Sequence, residues 1–142
     1  MLKVSTIILL IVLVFGGLYS LMLIFAPKII LSSGFEITTG EKLEDISKTS
    51  YLKVMVNEMM HMGALGLAAV VSCIFILFAA FRKAEKWAWW AMLITGVIAW
   101  GYGFVENIIT GDILNSLLHL IGLVIFLVGL LLPVKAFFAK KT

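Results

Sequence analysis

The stretch Val54–Phe81, VMVNEMMHMGALGLAAVVSCIFILFAAF, decides how the rest of the chain is read. Its last 20 residues, Met62–Phe81, carry no charged side chain. An α-helix needs about 20 apolar residues to cross the hydrocarbon core, because lipid offers no partner to backbone N–H and C=O groups. The stretch therefore reads as a transmembrane helix that brings Asn57, Glu58 and His61 in with its first turns.

Working outward, three more segments meet the same requirement: Val4–Ala26, closed by Pro27; Trp87–Val105; and Ile113–Leu132, closed by Pro133. The expected fold is an all-α polytopic membrane protein, an antiparallel four-helix transmembrane bundle forming a single domain over residues 1–142. Composition agrees, with 63% apolar and 13% charged residues and a mean hydropathy of +1.16. A soluble domain carries about 25% charged residues to cover its surface. The balance thus excludes a soluble globule, a disordered chain and a nucleic-acid partner; the expected environment is the lipid bilayer. Lys3 ahead of the first apolar run gives it the outline of a secretory signal, but the run exceeds the ~7–15 residues of a signal core and reads as a retained span. Cys73, the single cysteine, lies inside a span, which excludes intramolecular disulfide chemistry.

The cations set the expected orientation. Lys3, then Arg82, Lys83 and Lys86, then Lys135, Lys140 and Lys141 fall on one side. Lys28, Lys42, Lys48 and Lys53 are spread over the longer first connection on the other. Both termini are therefore expected in the cytoplasm, with the protein in the cell membrane. Glu36, Glu41, Glu44, Asp45, Glu58, Glu106 and Asp112 then lie on or near the outer side. Trp87, Trp89, Trp90 and Tyr51 read as interfacial anchors rather than as a cofactor-stacking platform. Between Pro27 and Tyr51, Thr38-Thr39-Gly40-Glu41 has the form of a capping box and predicts that a helix starts there. This external amphipathic segment either lies along the interface or lengthens the second span.

Ionisable residues intrude into the spans at three places, all near the outer face: Asn57, Glu58 and His61; Glu106 and Asn107; Asn115, Ser116 and His119. Each set caps a row of small residues of the kind that lets helices approach closely. His61 lies above Ala64, Ala68 and Ser72; Glu106 above Tyr102, Gly103, Ala99 and Gly96; Asp112, Asn115, Ser116, His119, Gly122, Phe126 and Gly129 form one stripe. The three rows are expected to face one another. Glu58-Met59-Met60-His61 has the Glu-x-x-His spacing of di-iron bundles, though the second copy that such a site needs is missing. A single divalent ion such as zinc fits the donors better, held by Glu58, His61 and His119 with Glu106 beside them. Asn57, Glu106, Asn107 and Asn115 would line a pocket for a small polar ligand. Copper is the weaker alternative, because Met55, Met59 and Met62 form a stripe displaced from His61. The plain reading is that these polar groups hydrogen-bond one another or sit in the headgroup layer.

Three functions compete. The first is a non-catalytic accessory or scaffold subunit of a larger membrane complex, with other membrane subunits or a second copy as partner. It follows from the short loops and the absence of a sizeable soluble domain. The second is a binding or catalytic protein with an outward-facing metal or ligand pocket, and the third a small proton-coupled transporter. In gross plan the chain resembles the small DoxX-like four-span membrane proteins: a first span ending in proline, an external amphipathic stretch, a glycine- and alanine-rich second span, and a short basic loop before tryptophans. That resemblance implies the four-span plan and carries no site residue.

Overall fold

The computed structural model describes residues 1–139, so Lys140 and Lys141 of the expected basic side lie outside the described residues. The order is α1 (Leu2–Phe25), α2 (Pro27–Thr39), α3 (Thr49–Ala79), α4 (Lys86–Thr110), α5 (Ile113–Leu131) and α6 (Val134–Phe138). Short 3-10 turns cover Leu43–Asp45 and Phe81–Lys83, and no strand occurs among the described residues. The helices α1, α3, α4 and α5 are each long and apolar enough to cross a membrane. The protein is an all-α, multi-pass membrane protein.

Local chemistry explains where the helices stop. Ala26 leaves helical geometry at φ −133° and ψ 45°, since a residue before proline is pushed out of the α region. Pro27 then opens α2 at a position where its missing N–H costs nothing. The helix expected to start at Thr38 instead ends there. The Thr38 and Thr39 hydroxyls each donate back to a carbonyl of their own helix, Gly34 and Phe35, at 2.8 Å. Gly40, left-handed at φ 74°, closes the turn by donating its N–H to the Glu36 carbonyl. A glycine that can adopt this conformation terminates a helix more effectively than the nearby threonine starts one. Residues 49–53 do lengthen the second span, whose 31 residues make a rod of about 47 Å. The hydrocarbon core is about 30 Å thick. Roughly three turns of α3 therefore stand beyond it, with α2 packed alongside.

The packing is less symmetric than a closed bundle. Helix α1 is central, with α3 against one flank and α5 against another, while α4 packs on α5. Glycines mark each close approach. A Cβ at Gly63 of α3 would come within 2.8 Å of the Ser20 carbonyl oxygen of α1. Gly129 of α5 lies against Ile8 and Leu9, and the Ser5 hydroxyl donates to its carbonyl. Between α4 and α5, Phe126 covers Gly96, Trp100 covers Gly122 and His119 covers Gly103.

Helices α3 and α4 meet mainly at the basic end, where the 3-10 turn Phe81–Lys83 joins them. There Leu9, Leu13, Leu77, Phe81, Ala88, Met92 and Leu130 are buried together. Trp89, expected as an interfacial anchor, belongs to this core: its Nε1–H donates to the Leu130 carbonyl at 3.0 Å. The reason is α6, which turns back after Pro133 and seats Phe138 edge-on against Trp89 at 5.2 Å between ring centroids. Trp87 and Trp90 stay exposed, as anchors do. This core takes in every buried apolar side chain except Leu23, Leu31 and Leu43.

Candidate functional site

The polar sets at the acidic end divide into one that is assembled and one that is not. The assembled set lies where α4 turns into α5. Gly111, left-handed at φ 80°, makes the bend. Asp112 follows as the N-cap of α5 and is buried. Its Oδ1 accepts the Asn115 backbone N–H at 3.0 Å, and its Oδ2 accepts from the Asn115 side-chain amide at 2.5 Å. A carboxylate here satisfies amides that a helix start leaves without partners and complements the positive end of the helix dipole.

One turn further in, His119 stands against α4. Its Nδ1 lies 2.8 Å from the Asn115 carbonyl oxygen and 3.3 Å from Asn107 Nδ2. A carbonyl oxygen only accepts, so Nδ1 carries the proton and donates to Asn115. The Asn107 amide is a neighbour and not a second donor to that nitrogen; it donates to the Gly103 carbonyl at 2.6 Å. The Nε2 edge is pressed over Gly103, where a Cβ would meet it, and Trp100 stands at 5.8 Å and 62° to the ring. Both edges of the imidazole are thereby occupied by α4 and α5. Asn107, Asn115 and His119 do come together, with each polar group hydrogen-bonded inside its own helix and the His119 ring packed across onto α4 at Gly103.

The other set stays apart. Asn57, Glu58 and His61 on α3 are exposed, and Glu106 on α4 is exposed as well. The packing stripe of α3 is Gly63, Gly66, Val70, Cys73 and Leu77, which meets α1 and the core. At about 100° per residue, His61 points roughly 160° away from Gly63. The row His61, Ala64, Ala68 and Ser72, expected to face the other helices, is exposed throughout, and the Ser72 hydroxyl donates to its own helix at the Ala68 carbonyl. Glycine lets α1 approach more closely than alanine does, so the Gly63 face won the contact. The zinc set of Glu58, His61, His119 and Glu106 is therefore not brought together. Among the described residues no three His, Cys, Asp or Glu side chains gather as metal ligands. The thioethers are divided as well, with Met55 and Met59 half-buried while Met60 and Met62 are exposed.

One residue at this end, Tyr19, escaped the sequence reading, whereas Ser116 belonged to the expected polar stripe of α5. Tyr19 of α1 lies within electrostatic reach of both Glu106 and Asp112. Its one sequence signal was its place beside Ser20 at the level of the polar ends. Ser116 is 4% exposed, and its hydroxyl has no hydrogen-bond partner among the described residues. A buried hydroxyl left without a partner costs about 1–3 kcal/mol, so this one marks a place where a small polar group would be stabilised. Elsewhere at the acidic end a crevice of about 160 Å³ is lined by Lys28, Ser32, Leu43, Glu44 and Leu52, between α2 and the projecting part of α3. Comparison with protein-family models, with curated proteins and with solved structures found no match to this chain.

Proposed function

We propose that the protein is a non-catalytic accessory or scaffold subunit of a membrane complex, and that the outward face of α3 is the surface it offers to a partner. The observation that carries this is the exposed row His61, Ala64, Ala68 and Ser72, on the side of α3 that its own chain leaves uncovered. Lipid-facing helix surfaces favour large apolar side chains, whereas small residues one turn apart, with a polar group at one end, suit the close approach of another helix. The partner is a membrane helix of another subunit; a second copy of this chain is the alternative occupant. Both termini are placed in the cytoplasm on the strength of Lys3, Arg82, Lys83, Lys86 and Lys135.

The test is assembly size in mild detergent, read by native mass spectrometry of protein extracted from its own membranes. The wild type is expected in a complex of more than one chain, and Ala64→Leu/Ala68→Leu is expected to release it. A wild type that is monomeric under every mild extraction overturns the reading. Masses that are multiples of one chain identify a homo-oligomer.

A second reading rests on Ser116. Its unpartnered hydroxyl, one turn along α5 from the buried Asp112, suits a small polar ligand or a proton-carrying water. Proton-coupled transport by this route predicts loss of pH-driven uptake in Glu106→Gln/Asp112→Asn vesicles. Unchanged uptake disposes of it.

A further inference from the structure

We infer that the basic end holds an anionic phospholipid at a site built by α4 and α6. Lys86 and Trp90 are four residues apart on α4 and share a face; Lys135 and Phe138 are three apart on α6 and do the same. Phe138 packs on Trp89 at 5.2 Å and on Trp90 at 6.2 Å between ring centroids. That contact joins the helix face carrying Lys86 to the one carrying Lys135 through one aromatic cluster. Phe137 anchors the arrangement from beneath: it is 2% exposed and lies 4.8 Å from the ring of Phe81. Position is thus imposed by packing, and both lysines remain exposed.

Beside the cluster opens a crevice of about 310 Å³ lined by Val134, Lys135, Phe138 and Ala139. Its chemistry is divided, with apolar side chains along most of it and an ammonium at one edge. A phospholipid is divided in the same way, with the start of its acyl chains against Val134 and Phe138 and its phosphate between the lysines. The sign of the field favours an anionic headgroup over a zwitterionic one. Lys3, Arg82 and Lys83 share this end of the molecule, and Glu85 is the one acid there. Cations close to an anionic membrane surface each contribute to such binding, and their contribution is weakened by salt. The exposed Trp87 and Trp90 place the site at headgroup depth, where indole rings settle. The inference is independent of what covers α3, because it uses the opposite end and a different helix pair.

The experiment uses the full chain in lipid nanodiscs and detergent, with phosphatidylglycerol as the anionic probe, phosphatidylcholine as the zwitterionic one and inorganic phosphate as the free anion. Native mass spectrometry reads the lipid retained per chain. Phosphatidylglycerol is expected to be retained over phosphatidylcholine, and Lys86→Gln/Lys135→Gln to weaken its retention about tenfold. The control Lys42→Gln/Lys53→Gln, at the other end, is expected to retain as much as the wild type. Equal retention of the two lipids overturns the inference, as does a Lys86→Gln/Lys135→Gln variant that folds with an unchanged thermal transition and holds phosphatidylglycerol as before. Displacement of the lipid by millimolar inorganic phosphate also overturns it, since the site would then be one for the free ion.

Discussion

The two ends of this molecule use similar building blocks to opposite effect. At the basic end, large side chains from α1, α3, α4, α5 and α6 close over one another, and even a tryptophan hydrogen bond is spent on joining α4 to α5. At the acidic end, contacts are pairwise: α3 on α1 through Gly63, and α4 on α5 through Gly103 and His119. In lipid there is no hydrophobic drive to bring apolar helices together, so packing and hydrogen bonds decide which helices meet. The buried aromatic rings, Phe81, Trp89, Phe126 and Phe137, all belong to the core that closes the basic end. Small residues at the other allow close pairs but cannot fill the space among four helices.

Substitutions of aromatic residues break the comparison most strongly. Phe81→Ala removes a fully buried ring at the closed end and is expected to cost about 3–5 kcal/mol. Tyr102→Ala, on a ring 67% exposed near the open end, is expected to stay within about 0.5 kcal/mol. Thermal unfolding in detergent compares the two, and equal losses would mean that the ends are equally packed. Next in size is Gly103→Val. Its side chain would occupy the space of the His119 ring, and overpacking of this kind costs about 1–3 kcal/mol. The readout is the histidine ring resonance together with the thermal midpoint, and a variant that leaves both unmoved would contradict the packing of His119 on Gly103. Smaller still is Asp112→Ala, expected to cost about 1 kcal/mol by removing the cap of α5. Hydrogen exchange should accelerate at Asn115 and Ser116 and leave the closed end protected. Acceleration spread evenly along α5 would argue against a local role.

The four spans were legible in the sequence because the length of an apolar helix is set by the bilayer and not by its neighbours. The stripe Asp112, Ser116, Phe126 and Gly129 on α5 was legible for a related reason, since no other face of that helix carries small residues. Helix α3 was different. It has small residues on two faces, Gly63 and Gly66 on one, Ala64 and Ala68 on another, and periodicity alone gives no preference between them. The choice belongs to the closest approach that α1 permits, a tertiary quantity. Because it went to the glycines, Glu58 and His61 were carried away from His119, and the expected metal donors were separated. Trp89 was misread for the same reason: a tryptophan beside a basic loop is an anchor unless something folds back to cover it, and α6 does. Thr38 was read without weighing Gly40 two positions later, although a glycine just past a threonine is itself a stop signal.

The proposed role requires two working faces on α3, one packed inside the chain and one for another helix. Site-specific photo-crosslinking in native membranes tests this directly, with the reactive group placed in turn at Ala64, Ala68 and Ser72, and at Met62 and Ala69 as exposed controls on another face. The account predicts one discrete protein adduct from the first three positions and only lipid adducts from the controls. Lipid adducts alone from all five positions would contradict it.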